Sequence, residues 1–438
     1  MCHKPQFNVL WTPWPVHNTL SGMNTFSIAF LSALTVATVT RLWLTRRHTQ
    51  HIQAHRSAVP VEFAEQIALE AHQKAADYSS AKTRFAMVRT LVDSGLLLLL
   101  TLGGVLQLLD SWAASWFSGE ILRGTALIAL FAAATSLIDL PFSWYRTFSI
   151  EARFGFNKMT PGMWLADLAK SAALGVAFGL PLLLAVLWLM SKMGYWWWLY
   201  VWLVWVGFSV FMMAIYPAFI APLFNKFTPM YEGSLKTRIE NLLAKCGFRS
   251  SGLFVMDGSR RSSHGNAYFT GFGKTKRIVF FDTLISRLNE GEIEAVLAHE
   301  LGHFKLHHVI RRMFWTFGVS LVLLGVLGYL KDEAWFYQGL GVAHPATNAM
   351  ALLLFVLVVP VFAFLLQPVV AMYSRKHEFE ADAYAARYSS APELVNALVK
   401  LYKDNASTLT PDPLHSAFYD SHPPARVRIA RLQSLAAS

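Results

Sequence analysis

The sequence predicts a mainly α, polytopic membrane protein of about seven transmembrane helices, with a small α+β domain split around spans six and seven. Three observations carry that prediction. Of the 438 residues, 54% are hydrophobic and only 15% are charged, and the mean hydropathy is +0.38, a balance outside the range of soluble domains. Apolar runs long enough to cross a bilayer recur seven times. The polar residues collect in blocks, two of which flank the last two runs.

The net charge of +11 would point to nucleic acid in a soluble chain. Here the basic residues flank apolar runs, so membrane topology accounts for them and no nucleic-acid partner is expected. The two cysteines, Cys2 and Cys246, lie far apart, and Cys246 closes a helical stretch before Gly247. Neither a disulfide framework nor a thiolate metal site is available. Any metal must be held by histidine and carboxylate.

In chain order, residues 1–22 form a lead without periodicity, and Met23 is the more typical start. Phe26 to Trp43 reads as span one; it lacks a small-residue cleavage pattern and is expected to be retained rather than removed as a signal peptide. A polar, helical-looking connection over 46–93 leads to span two, Ser94 to Leu109, closed by Asp110. Span three, Ile121 to Trp144, carries Asp139, which either faces a polar interior or lies at headgroup level. Spans four to seven are Ala172–Met190, Tyr195–Pro222, Met313–Leu330 and Ala349–Tyr373.

With the N-terminus outward, the connections 44–93, 143–170, 224–311 and 374–438 share one side and hold nearly all the Lys and Arg. The positive-inside rule places them in the cytoplasm. The expected division is a lead (1–22), spans one to five (23–223), a polar domain's first part (224–311), spans six and seven (312–373) and its second part (374–438).

The chemistry concentrates in that split domain. His299 and His303 stand four residues apart, on one face of a helix, where both imidazoles can meet one zinc ion with Glu300 beside them as a base for water. Asn289 followed by Glu292 reads as a helix cap, and Ile293, Val296, Leu297, Leu301 and Phe304 recur at helical spacing. Upstream, Tyr231–Cys246 reads as a helix, and Leu253–Asp257 and Arg277–Phe281 as strands. The Gly/Ser-rich loop 258–271 lies between the strands, with Asn266–Phe269 as a short exposed strand. In the second polar block Glu378 and Asp382 share a helical face, so one can ligate a metal while the other supports a ligand. Glu380, His377, His307 and His308 compete for the same role. His422-Pro423-Pro424 sets a histidine on a stiff turn before a final helix.

Four ordered motifs, H-E-L-G-H at 299–303, S-R-x-x-E-F-x-A-D at 374–382, G-S-x-R-S-S-H-x-N-A-Y-F at 258–269 and S-H-P-P at 421–424, together resemble the type I CAAX prenyl endopeptidases, seven-span membrane zinc peptidases. The likeness takes in Glu151–Thr160, Asn225–Pro229 and Arg277–Asp282, and so most of the chain from about residue 60. It implies one zinc per chain on His299, His303 and Glu378, and Glu300 as general base. It further implies Asp382 as the carboxylate orienting a histidine ligand, His422 at the oxyanion, supporting Arg428, and an edge strand at Asn266 and Ala267 that binds an extended substrate. It also implies a water-filled chamber within the spans and a protein or peptide substrate, prenylated at its C-terminus or otherwise delivered by the lipid bilayer. The housing membrane would be the inner membrane of a bacterium or the endoplasmic reticulum of a eukaryote.

Two other readings compete. A membrane quality-control protease would use the same site on unmodified chains. A seven-span receptor or transporter would hold zinc structurally, which requires a fourth protein ligand such as His307 or His308. An intramembrane protease is disfavoured, because polar Asn289–Glu294 and Lys305 bracket the motif.

Overall fold

Helices follow the apolar runs but reach further than they do. The computed structural model describes residues 23–270 and 275–437; the lead 1–22 and Gly271 of the loop lie outside the described residues. Span one runs Thr25–Ala54, capped by Asn24, whose Oδ1 accepts from the Ser27 N–H at 2.9 Å. Its thirty residues are about 45 Å long, so the Arg-rich end stands clear of the hydrocarbon core. From Leu69 the polar stretch that follows is helical too. It belongs to Leu69–Leu100, which pairs with span one through Gln53–Ser80 and the two-pronged Arg56–Asp77 bridge at 2.8 and 2.9 Å.

Span two departs from expectation. The run Ser94–Leu109 is not one helix: Leu69–Leu100 and Val105–Trp116 meet at a bend of 54°. Gly103 and Gly104 make the break possible, because a Cβ on Gly103 would lie 2.6 Å from the Leu99 carbonyl oxygen and Gly104 takes a left-handed φ of +76°. Asp139 pairs with Arg89 at 2.6 Å, and Arg89 also holds Asp93 at 2.7 Å. The acid of span three thus answers to its neighbour, span two.

Spans three to six are Glu120–Glu151, Pro161–Lys192, Gly194–Phe224 and His308–Leu330. Span four starts eleven residues earlier than its apolar run, because Thr160 accepts from the Met163 N–H at 3.2 Å and Pro161 suits the first helical position. Span seven, Asn348–Tyr388, runs 41 residues and crosses the compositional boundary at 373/374 without interruption. Counted this way, six helices among the described residues are long and apolar enough to cross a membrane, or seven with the bent pair. Span seven is the hub: half of its apolar stretch is buried, against 11, 17, 6 and 6% in spans three to six. Gly124 of span three sits so close to it that a Cβ would fall 2.8 Å from that of Ala349.

The extramembrane domain holds a four-stranded sheet in the order β1 (Phe227–Pro229), β2 (Arg249–Met256), β4 (Thr275–Phe281), β3 (Ala267–Thr270). β2 and β4 are parallel, and the outer pairs are antiparallel. Leu253, Ile278 and Phe280 join Ile293, Leu297 and Leu301 of the His299 helix in one buried core. A second, smaller core brings Phe63 and Ile67, from the link between spans one and two, against Ala425 and Ile429 of the last helix. The N-terminal hairpin therefore braces the C-terminal tail. Arg47 at the end of span one pairs with buried Asp412 at 2.8 Å.

Candidate metal centre

Two helices build the site. The first, Glu290–Lys305, starts at a complete capping box: the Asn289 side chain accepts from the Glu292 N–H, and the Glu292 carboxylate accepts from the Asn289 N–H, both at 2.8 Å. It packs along the end of span seven through small residues, Ala295, Ala298, Ala381 and Ala385, all fully buried. Gly302 marks the closest approach, where a Cβ would lie 3.1 Å from both Ala381 Cα and Tyr384 Cβ. Those neighbours are backbone and near-backbone atoms that cannot swing aside. Gly302→Ala is accordingly expected to push the helices apart and lower stability by about 1–3 kcal/mol, with weaker metal retention; thermal melting and zinc content of the purified variant check this.

That close approach brings donor atoms together. His299 Nε2 lies 3.3 Å from His303 Nε2 and 3.4 Å from Glu378 Oε2, and His303 Nε2 lies 3.5 Å from Glu378 Oε1. Ligands about 2.0–2.1 Å from a tetrahedral ion stand roughly 3.3 Å apart, so the three fit a zinc-sized ion. Glu378 Oε2 is buried yet accepts no hydrogen bond. An orphaned carboxylate oxygen facing the His299 imidazole nitrogen, with its partner oxygen facing that of His303, is what a cation would satisfy.

The surrounding charges favour a cation as well. Burial opposes a charged His299, but the Asp382 carboxylate on its Nδ1 and the nearby Glu378 carboxylate outweigh it and raise its pKa to about 9. Burial, helped by repulsion from His299, lowers that of His303 to about 3. Burial also lifts the Glu300 carboxyl above its ordinary range, partly offset by His299. Behind His299, Nδ1 meets Asp382 Oδ1 at 2.9 Å. Arg428 grips that carboxylate with Nε at 2.9 Å and Nη2 at 2.6 Å, both groups buried.

The other anticipated residues fall around this centre. His422 Nε2 is 3.4 Å from Glu378 Oε1, and its side chain is 61% exposed, open to an incoming chain. β3 is a sheet edge. The Phe281 N–H donates to the Asn266 carbonyl at 3.0 Å, which makes Asn266–Phe281 the hydrogen-bonded pair. Ala267 therefore turns its own N–H and C=O to the free edge, its N–H held by Asn266 Oδ1 at 2.8 Å. Phe269 of β3 packs on Phe304, next to His303, with ring centroids 5.6 Å apart. Of the rival ligands, His307 is exposed in a left-handed turn with φ 59°. Glu380, His308 and His377 form a separate cluster beside His303. Spacing alone missed the Gly302 contact, although a glycine inside a helix is the signal that could have revealed it.

Comparisons with known proteins agree with this architecture. Residues 48–226 match the family model of the CAAX prenyl protease N-terminal, five membrane helices, and residues 229–436 match peptidase family M48. The chain is 31% identical to CAAX prenyl protease 1 of Saccharomyces cerevisiae, over 96% of this chain and 95% of that one. It is 41% identical to an Arabidopsis thaliana CAAX prenyl protease 1 homolog, over 71% of this chain and 73% of that protein. The crystal structure of S. mikatae Ste24p superposes with a TM-score of 0.88 at 30% identity, covering 94% of this chain and 99% of that one. M48 peptidases are metal-dependent, generally on zinc. The chain belongs to the type I CAAX prenyl endopeptidase family and is a multi-pass membrane metalloendopeptidase.

Proposed function

We propose that this protein holds one zinc on His299, His303 and Glu378 and cuts proteins near a C-a-a-X C-terminus, prenylated or otherwise delivered from the bilayer. The observation that carries this reading is the convergence of the three donors at tetrahedral spacing with Glu300 on the same helix. Residues 224–311 and 374–438 form the two halves of the peptidase domain, facing the cytoplasm by their positive charge, and spans one to seven surround a chamber.

Zinc, when bound, polarises a peptide carbonyl and brings the pKa of water toward neutrality. The chain's own groups do the rest. An extended substrate adds to the free edge of β3, taking the Ala267 N–H from the Asn266 side chain. Glu300, its affinity for protons raised by burial, takes a proton from the attacking water and returns it to the leaving amine. His422 Nε2 faces the Glu378 carboxylate, an acceptor, so the proton is assigned to Nε2, leaving Nδ1 to accept from the Ser421 hydroxyl 3.1 Å away; His422 then donates its Nε2 proton to the substrate oxygen as charge develops. Asp382, locked by Arg428, holds His299 in the tautomer that leaves Nε2 free.

The test is proteolysis of two matched C-terminal peptides, one farnesylated on its C-a-a-X cysteine and one bare, by the detergent-purified full chain. Cleavage of the farnesylated peptide alone is expected. Equal cleavage of both would replace this reading with broad quality control, and cleavage of neither by zinc-loaded protein would contradict it.

A further inference from the structure

His308, the first residue of span six, is almost fully buried five residues past His303. Both of its ring nitrogens are engaged: Nδ1 lies 3.0 Å from His303 Nδ1, and Nε2 lies 2.8 Å from Glu380 Oε2. His377 stacks on the same ring, with centroids 4.0 Å apart and planes 6° from parallel.

The direction of these hydrogen bonds follows from the ligand set. His303 presents Nε2 to His299 and Glu378, so a His303 that ligates there keeps its lone pair on Nε2 and its proton on Nδ1. Nδ1 then donates, and His308 Nδ1 must accept. A neutral His308 with its lone pair on Nδ1 carries its proton on Nε2 and donates it to Glu380. Only one placement of the hydrogens satisfies the chain, and Glu380, an acceptor alone, fixes it. His299 receives the same service directly from Asp382.

We infer that His308 and Glu380 are positioning residues for His303, relaying a carboxylate's pull through a second imidazole to set its tautomer and ring angle. The inference rests on His299, His303 and Glu378 being the ligands. A rival account makes His308, His377 and Glu380 a second metal site, since their donor atoms lie within 4.8 Å of one another. Ring geometry opposes it: an ion bound by an imidazole lies in the ring plane, and two stacked, near-parallel rings share no such point. His308 has no nitrogen left to offer either.

The experiment measures zinc per chain, and the rate of zinc release to excess EDTA, for the full-length protein and for His308→Phe, Glu380→Gln, His377→Phe and His299→Ala. Phenylalanine at 308 preserves the ring stack and removes both nitrogens. Release is expected to quicken about 10-fold to 100-fold in His308→Phe. The change should be smaller in Glu380→Gln, whose amide oxygen still accepts but carries no charge, and absent in His377→Phe. The visible bands of the cobalt-substituted protein should shift in the first two variants and not in the third. Should His308→Phe fail to fold, the release rate and cobalt spectrum of Glu380→Gln decide alone. Unchanged release and spectra in both variants would overturn the relay, as would two zincs per chain with one lost in His377→Phe. Zinc retained by His299→Ala would instead strike the ligand set on which the inference rests.

Discussion

Glu300→Gln is expected to lower kcat by about 10²–10⁴-fold while the protein keeps its zinc and binds substrate with little change in KM. The glutamine fills the same volume and can still hydrogen bond, but it cannot take a proton from water. Glu300 is not among the converging donor atoms, which belong to His299, His303 and Glu378, so the metal has no reason to leave. Burial raises the Glu300 pKa, which strengthens the carboxylate as an acceptor for the proton of water. Peptide hydrolysis and zinc content measured on one preparation separate the two properties. A variant that loses zinc in step with its activity would show that Glu300 holds the ion instead of the proton.

Asp382→Asn should act on metal and fold together. Asp382 accepts from both His299 Nδ1 and the buried Arg428 guanidinium, and an asparagine would turn an N–H₂ group toward one of these donors. Removing one member of a buried ion pair typically destabilises by about 3–5 kcal/mol, and loss of a carboxylate behind a metal-bound histidine weakens affinity about 10-fold to 100-fold. The double change Asp382→Leu with Arg428→Met separates these effects, because it removes both charges at once. It should recover most of the melting temperature and none of the zinc affinity, since His299 Nδ1 still lacks its acceptor. Recovery of zinc binding in the double variant would mean that Asp382 serves the fold alone.

Much of the centre was legible because its determinants are local. The capping box at Asn289 and Glu292, the four-residue spacing of His299 and His303, and that of Glu378 and Asp382 are all set within one or two helical turns. The observed helices place these side chains as the spacing requires. What spacing leaves open depends on packing between distant segments. Glu378 and Glu380 are equivalent by composition; in the packed helices Glu378 meets His299 and His303 while Glu380 meets His308, and Gly302 allows the close approach that brings them together. The break in span two was hidden because Thr101–Gly104 continues an apolar run, and only the left-handed turn at Gly104 shows that the helix stops there. The polar stretch 69–93 looked like a connection because it is not apolar. Its helix is held by the turn after span one and by the end of span three, through Arg56–Asp77 and Tyr78–Glu151, which hydropathy does not register.

The most direct test of the ligand set is an anomalous difference map at the zinc edge from crystals of the full chain. A single peak per chain, within bonding distance of His299 Nε2, His303 Nε2 and a Glu378 oxygen, is the predicted result. A peak among His308, His377 and Glu380, with none between His299 and Glu378, would contradict it.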